Sequence, residues 1–324
     1  MANGAIAPFA THKGAAAAAA PIPPPHYAAA VPADPLAPLL ELPGVRAAAD
    51  EARAAVDRVH RHPANRRGWP ATAAEAAMRA ARASAALDGA DVRLPAGGSA
   101  GAGGTAGLGG TAGGGGTTRV GGTAGAGRTA GAGRTVDAGG SAGAVDPVLA
   151  GAVRIADAVG TLLATWRRAP LQALARLHML AAADLVDDDG ALGRPRASEE
   201  VSARLHLLAD TVTGQSAVPG VLLSAVVHGE LLALAPFGTA DGVVARAAAR
   251  LTAVATGLDA KGLAVPEVGH LRRAAEYRRA AAGFATGEPD AVAAWLVHCC
   301  QAWQAGAREA GSIADAATPS RPPG

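Results

Sequence analysis

The sequence has few of the residues that build disulfide scaffolds or aromatic cores. Aromatic residues make up 3% of its 324 residues, lysine occurs only at Lys13 and Lys261, and the two cysteines are the neighbours Cys299 and Cys300. Adjacent cysteines rarely bridge each other, and no CxxC or Cys/His ligand spacing surrounds this pair. We therefore expect buried free thiols in a reducing cytoplasm, and no metal site.

An excess of charge of one sign is also missing. The chain has 29 basic and 27 acidic residues, which gives a net charge of +2. Such a balance provides no global attraction to nucleic acid or to a membrane surface. Much of the 50% hydrophobic fraction is alanine. Because alanine buries little area, the core is expected to come from leucine and valine stripes.

Neither a signal peptide nor a long apolar run is apparent. The N-terminal region has an alanine run and a proline run, without the leucine-rich core of a signal peptide. The most apolar stretch, residues 218–234, contains His228 and Glu230 and is short for a membrane span. These features predict a soluble cytoplasmic protein without membrane association.

Composition divides the chain into five parts. Residues 1–37 are rich in alanine and proline, and residues 96–144 repeat a GGTAG or GRTAG unit. Both are expected to be disordered, because glycine at this density has a high backbone entropy and few large apolar groups offset it. Residues 38–95 are predicted to be an N-terminal helical segment, residues 145–310 the main helical domain, and residues 311–324 a loose tail.

The remaining segments have apolar residues at three- and four-residue spacing, which is typical of helices. Asp146 before Pro147 and Ser198 before two glutamates are expected helix starts. Helices are predicted over residues 44–61, 72–88, 146–166, 170–185, 198–211, 219–234, 240–257, 266–286 and 289–309. No segment alternates with period two for long, so the prediction is an all-α bundle with its core from about residue 146 to residue 310.

The stretch from residue 228 to residue 250 reads HGELLALAPFGTADGVVARAAAR. It resembles the active-site region of the Fic (Fido) family, whose pattern is HPFx(D/E)GNGRxxR in a loop that enters a helix. In that family the loop supports AMP transfer from ATP to a protein hydroxyl. The histidine is the general base, the acid holds Mg²⁺, and the glycine turn and two arginines bind phosphates.

The sequence departs from this pattern at the positions that perform the chemistry. Ala235 stands at the position of the histidine base, Thr239 at the metal-binding acid and Val243 at the first arginine. Ala240 replaces a glycine, and Asp241 replaces the asparagine with a charge that repels phosphate. Loss of a general base alone typically costs a factor of about 10²–10⁴ in rate. No catalytic residue of the pattern is therefore intact.

Other positions of the pattern are retained. Pro236 and Phe237 are expected to anchor the loop, and Gly242 to allow a close approach at the helix start. Arg246 matches the second arginine of the pattern, and Asp241 stands at the position of its asparagine. The resemblance therefore implies a vestigial nucleotide site at residues 241, 242 and 246.

Flanking features occur in the order found in the family. His178 follows a leucine on a predicted helix, and a Gly-x-x-Arg run ends at Arg196. Ser84, Asp88 and Gly89 resemble the family's inhibitory motif (S/T)xxxE(G/N), with aspartate in place of glutamate. The resemblance implies an Asp88–Arg246 salt bridge of structural rather than regulatory importance. It also implies a missing β-hairpin flap, because Arg196 leads almost directly into a helix.

Three functions remain open. The first is a non-catalytic pseudo-enzyme of the Fic family, with a binding or regulatory role, an unknown protein partner and no cofactor. The second is a nucleotidyltransferase with an altered site, which alone would need ATP and Mg²⁺. The third is a partner- or nucleic-acid-binding helical module, for which four arginines near Tyr277 form a basic helical face: Arg272, Arg273, Arg278 and Arg279. We interpret His178, His228 and His298 as packing residues.

Overall fold

The computed structural model of the chain describes residues 34–92, 145–214 and 216–318. These ranges are helical and contain no strand, so the predicted all-α fold class is confirmed. The predictions of disorder for residues 96–144 and for nearly all of residues 1–37 fall outside the described residues, as do the last six positions of the predicted tail.

Within the described ranges the chain forms the helices α1 (Val45–Arg61), α2 (Pro63–Arg67), α3 (Trp69–Leu87), α4 (Pro147–Trp166), α5 (Pro170–Ala182), α6 (Glu199–Thr213), α7 (Gly220–Leu234), α8 (Asp241–Ala255), α9 (Pro266–Arg272), α10 (Ala274–Phe284) and α11 (Pro289–Ala316). Two short 3-10 helices lie at Ala37–Glu41 and Asp189–Ala191.

The predicted helix starts at Asp146 and Ser198 are confirmed by their capping bonds. The Asp146 carboxylate accepts the backbone N–H groups of Val148 and Leu149, and the Ser198 hydroxyl accepts that of Val201. These side chains satisfy amide groups that have no partner inside the helix. The caps fix where α4 and α6 begin.

Two predicted boundaries are wrong. The single helix expected over residues 266–286 is broken at Arg273, which has φ −123° and separates α9 from α10. The tail was expected from residue 311, but α11 continues to Ala316. It continues because Ile313 is buried against Ala76 and Val265, so the last turns belong to the core.

The core consists of two main apolar clusters on either side of α7. One cluster joins α1, α7 and α11 around Trp295 and Leu222, and the other joins α4, α5, α7 and α8 around Trp166 and Leu231. Ten of the 15 residues of α7 are buried. The core therefore extends beyond the predicted range 146–310, because α1 packs along α11 and contributes buried side chains such as Val56.

One described helix, α4, is long and apolar enough to cross a membrane by length and composition, with a mean hydropathy of 1.5. In the folded chain it packs against α3, α5 and α8. A core helix passes the same test, so the test by itself does not distinguish the two cases.

A close contact between α4 and α5 gives a test of this packing. A Cβ atom added at Gly151 would lie 2.2 Å from the backbone oxygen of Ala181. We expect Gly151→Ala to lower the free energy of unfolding by about 2 kcal/mol, because the backbones must separate. The matched control is Gly160→Ala in the same helix, where no atom lies within 4 Å. Urea unfolding measures both, and equal effects would contradict the packing of α4 on α5.

Candidate functional site

The loop between α7 and α8 has an unusual backbone. Ala235 and Ala240 have φ values of 42° and 54°, and Gly238 has φ 74°. Residues other than glycine in this left-handed region cost roughly 1–2 kcal/mol each. The two alanines stand where the Fic pattern has histidine and glycine. The surrounding contacts must therefore hold the loop in place.

Arg196 provides several of these contacts. Its backbone N–H donates to the Pro236 carbonyl at 2.7 Å. Its guanidinium donates to the carbonyls of Ala235 at 3.0 Å and Leu234 at 2.7 Å. These carbonyls end α7, where a positive charge is favoured by the helix dipole. The arginine of the Gly-x-x-Arg run thus meets the loop that the sequence pattern singled out.

His178 packs against the same loop. Its ring stacks on Phe237 with centroids 4.2 Å apart and an interplanar angle of 5°. Its Nδ1 accepts the backbone N–H of Gly193 at 2.9 Å. Burial lowers the pKa of His178, while the backbone of Thr239 opposes that shift. The ring is therefore neutral with its proton on Nε2, which agrees with its interpretation as a packing residue.

Asp241 closes the loop on itself. Its Oδ1 accepts the backbone N–H of Phe237 at 2.9 Å. Burial raises the pKa of Asp241, although the amides of Phe237 and Gly238 and the charge of Arg196 act in the opposite direction. The carboxylate at the start of α8 is thus bound to this chain's own backbone.

Arg246 is the centre of the site. It is 3% exposed, and its Nη2 lies 2.8 Å from Oδ1 of Asp88. Its Nε donates to the Ser84 hydroxyl at 2.8 Å and its Nη2 to the Ser84 carbonyl at 3.0 Å. Its Nη1 donates to Oη of Tyr277 at 3.2 Å. The Asp88–Arg246 salt bridge expected from the sequence is therefore confirmed.

The end of α3 positions the acid of this pair. Asp88 is the C-cap residue of α3, and Gly89 follows with φ 89°. Glycine is favoured there because the left-handed conformation costs it little. Ser84 lies one turn earlier, so both partners of Arg246 are on one face of α3. Ser84, Asp88 and Gly89 thus all lie at the C-terminal end of α3, where the first two contact Arg246.

The Asp88 carboxylate also covers the first turn of α8. A Cβ atom added at Gly242 would lie 2.6 Å from each carboxylate oxygen of Asp88. The N-terminus of a helix presents amide groups that favour an anion. The Asp88 carboxylate is thus the anion that lies beside this turn.

Arg246 remains charged in spite of its burial. Burial lowers the pKa of its guanidinium, but Tyr277 and Asp88 more than compensate and hold it above the usual value. A buried charge without partners would cost several kcal/mol. The contacts from α3 and α10 therefore offset the cost of burying Arg246 in the core.

A chain of buried polar rings continues from Arg246. Oη of Tyr277 lies 2.9 Å from Nε2 of His228, and Nδ1 of His270 lies 3.1 Å from Nε2 of His298. Burial holds the pKa values of His228 and His270 well below the usual range, so both rings are neutral. His228 is a hydrogen-bonded core histidine, as the sequence analysis proposed.

One group of possible metal ligands was missed by the sequence analysis. His228 of α7, His270 of α9 and Cys299 of α11 offer ligand atoms that lie within 4.8 Å of one another, and all three residues are buried. The sequence analysis considered only the spacing around the neighbouring Cys299 and Cys300 and expected no metal site. The donors come from three helices, so no short motif could have identified them.

Two cavities lie beside the site. One has a volume of about 440 Å³ between α3, α4 and α8, and includes Ser84 and Arg246 in its lining. The other has a volume of about 390 Å³ between α5, α6 and the loop, and includes Phe237 and Arg196. Both volumes are within the range of small-molecule pockets, roughly 300–1,000 Å³.

Comparison of the chain with protein-family models and with curated proteins gives no match.

The ion pair at Arg246 is tested by Asp88→Ala. We expect the free energy of unfolding to fall by about 1–3 kcal/mol, because a buried guanidinium loses its counter-charge but keeps Ser84 and Tyr277. The control is Glu41→Ala, which removes an exposed pair with Arg46 and is expected to cost less than about 0.5 kcal/mol. Chemical unfolding measures both, and an unchanged stability of the Asp88 variant would refute the role of the pair.

The raised pKa of Asp241 makes stability depend on pH. A carboxyl with a raised pKa in the folded state stabilises the fold when protonated, and this stability is lost as pH rises through that pKa. We therefore expect Asp241→Asn to raise the melting temperature at pH 7, with the gain vanishing toward the ordinary aspartate pKa of about 3.9. Asp157→Asn, at an exposed position of α4, is the control. A lower melting temperature for Asp241→Asn at pH 7 would contradict this account.

Proposed function

We propose that this chain is a non-catalytic protein related to the Fic family, with a binding or regulatory role. The observation that carries the proposal is the position of Asp88, whose carboxylate covers the first turn of α8 and pairs with the buried Arg246. A phosphate group at this turn would have to displace that carboxylate and separate it from its guanidinium partner.

The chemistry of the loop supports the same proposal. Ala235 has no group that accepts a proton, and His178, the nearby ring, is stacked on Phe237 with its Nδ1 bound to a backbone amide. A general base needs a free acceptor within hydrogen-bond reach of the substrate hydroxyl. Thr239 carries no charge with which to hold Mg²⁺.

Electrostatics at the start of α8 also disfavour a nucleotide. Asp88 and Asp241 place two carboxyl groups near the first turn, and Asp88 raises the pKa of Asp241 through its charge. A triphosphate would add further negative charge at the same place. Arg246 does not compensate for this, because Asp88, Ser84 and Tyr277 already occupy its donors.

The basic face near Tyr277 gives little support to the nucleic-acid alternative. Arg272 pairs with Glu309 at 2.8 Å, Arg273 pairs with Glu276, and Arg278 donates to a backbone carbonyl. Tyr277 itself is 5% exposed and cannot stack on a base. We therefore keep the binding role for a protein partner.

Labelled ATP tests the proposal directly. We expect no label transfer from ATP and Mg²⁺ to proteins of a cell lysate, and calorimetry with ATP and Mg²⁺ to give weak or no binding. Asp88→Ala is the informative second variant, because it removes the covering carboxylate and its negative charge, while Arg246 keeps its bonds to Ser84 and Tyr277. We expect it to bind ATP more tightly than the unchanged chain, still without transfer, since no general base is present.

Two results would decide against the proposal. Label transfer by the unchanged chain that disappears in Arg246→Ala would establish the nucleotidyltransferase alternative. Tight ATP binding by the unchanged chain would mean that Asp88 does not obstruct the site. Circular dichroism of both variants serves as the check that each remains folded.

A further inference from the structure

The interior of this protein contains a cluster of buried polar rings. Of the nine histidines in the chain, His228, His270 and His298 are all buried next to Tyr277, one of only two tyrosines. Buried polar side chains carry a desolvation cost, and apolar residues of similar size would fill the same space without it. A function that needs polar side chains would explain why this cluster, which lies away from the α7–α8 loop, is not apolar.

Each of the two ligand histidines is held through one ring nitrogen. Nε2 of His228 is bonded to Tyr277, and Nδ1 of His270 is bonded to His298. In the described part of the chain, the other nitrogens, Nδ1 of His228 and Nε2 of His270, have no hydrogen-bond partner. Metal-binding histidines have this arrangement, with one nitrogen on the ion and the other held by a neighbouring group.

The partner of His270, His298, lies near a carboxylate. Nδ1 of His298 lies 3.5 Å from Oε1 of Glu276. A proton on Nδ1 of His270 can be donated to Nε2 of His298, whereas Nδ1 of His298 makes no hydrogen bond within the described ranges and has Glu276 only as a nearby charge. This leaves Nε2 of His270 as a free lone pair. A histidine that binds a metal commonly donates its other ring N–H to a neighbouring acceptor, as His270 can donate to His298.

A small cavity lies at the same place. It has a volume of about 10 Å³ and is lined by His228, His270 and Cys299, together with side chains from α8. A space of roughly 10–15 Å³ is needed for a single water molecule. The cavity is thus suited to a single water or a single ion, and not to an organic ligand.

We propose that His228, His270 and Cys299 form a buried site for one soft metal ion, with copper(I) as the ion that fits. Two imidazole nitrogens and one thiolate make a three-coordinate set of the type that copper(I) accepts. This proposal does not depend on the proposed function of the α7–α8 loop.

The geometry requires only a small adjustment. Bonds of roughly 2.0–2.3 Å to nitrogen and sulfur place three ligands roughly 3.5–4 Å apart around one ion. The ligand atoms lie within 4.8 Å of one another, so they must close by about an ångström. Side-chain rotation supplies a movement of this size without displacing α7, α9 or α11.

Charge selects a monovalent ion. Arg246 and Arg250 line the same cavity, and the carboxylate of Glu267 is occupied by two donors of Arg250 at 3.2 and 2.8 Å. On binding, the Cys299 thiol releases its proton to solvent and a sulfur–copper bond forms, so copper(I) and thiolate together are neutral. A divalent ion would leave one uncompensated positive charge beside two guanidinium groups.

The test uses the full chain without an affinity tag, kept under reducing, oxygen-free conditions. Copper(I) is supplied as its complex with a chromogenic chelator, and the copper taken up by the protein is measured from the loss of colour. We expect about one ion per chain and a higher melting temperature with copper(I), because an ion that binds only the folded state stabilises it. Zinc in a parallel titration is expected to bind more weakly.

Two variants locate the site. Cys299→Ser is expected to lower the copper(I) affinity by on the order of 100-fold or more, since loss of a mere supporting contact already costs about 10–100-fold. The matched control is Cys300→Ser, which alters the adjacent buried cysteine of α11 outside the ligand set and is expected to retain binding. X-ray absorption of the unchanged protein should give one sulfur and two nitrogen ligands, a measurement that needs no variant.

Three results would overturn the proposal. These are no retained copper, equal retention by the Cys299→Ser variant, and an absorption spectrum with two sulfur ligands or none. Zinc binding at one ion per chain without copper(I) binding would overturn the choice of ion.

Discussion

The buried guanidinium of Arg246 constrains the positions of three helices at once. It belongs to α8, and it donates hydrogen bonds to Ser84 and the carboxylate of Asp88 at the end of α3 and to Tyr277 in α10. All three partners are distant from Arg246 in the sequence. The guanidinium can therefore be buried with its partners only when α3 and α10 both pack against α8. An arginine left there without them would cost several kcal/mol, a large part of the stability of a typical domain. The first helices of the chain are therefore part of the core rather than an appendage to it.

The same contact sets what the start of α8 can bind. Asp88 satisfies the arginine by placing its carboxylate over Gly242, which is where the helix would otherwise attract an anion. Stability and anion binding thus compete for one position, and the tighter the Asp88–Arg246 pair, the less accessible the turn. Asp241 adds a second carboxyl group at this position, which further disfavours binding of an anion. Ala235 provides no general base. Under the proposed function, the chain retains the residues that shape the α7–α8 loop and lacks those that would perform AMP transfer.

The sequence was informative wherever a short-range rule applied. The caps at Asp146 and Ser198 and the apolar spacing placed most helices within a few residues, and the motif at Ser84 and Asp88 led to the ion pair with Arg246. Prediction failed where the deciding contact is made by a distant segment. The break at Arg273 and the last turns of α11 around Ile313 depend on packing partners that no local pattern reveals. The three ligand atoms near the small cavity were missed for the same reason, since they lie on α7, α9 and α11.

Tyr277 connects the arginine to the histidine cluster, and its hydroxyl has one proton to share. While Nδ1 of His228 carries the ring proton, the hydroxyl donates to Nε2 of His228 and accepts from Arg246. A metal ion on Nδ1 would move the ring proton to Nε2, and the hydroxyl would then accept from both neighbours. Its own proton would then turn away from His228 by rotation about the C–O bond. Occupancy of the proposed metal site would therefore change the direction of the hydrogen bond between His228 and Tyr277, whose hydroxyl also accepts from Arg246. Among the residues that the structure describes, Tyr277 is thus the one through which the proposed metal site and the Arg246 cluster are in direct hydrogen-bond contact.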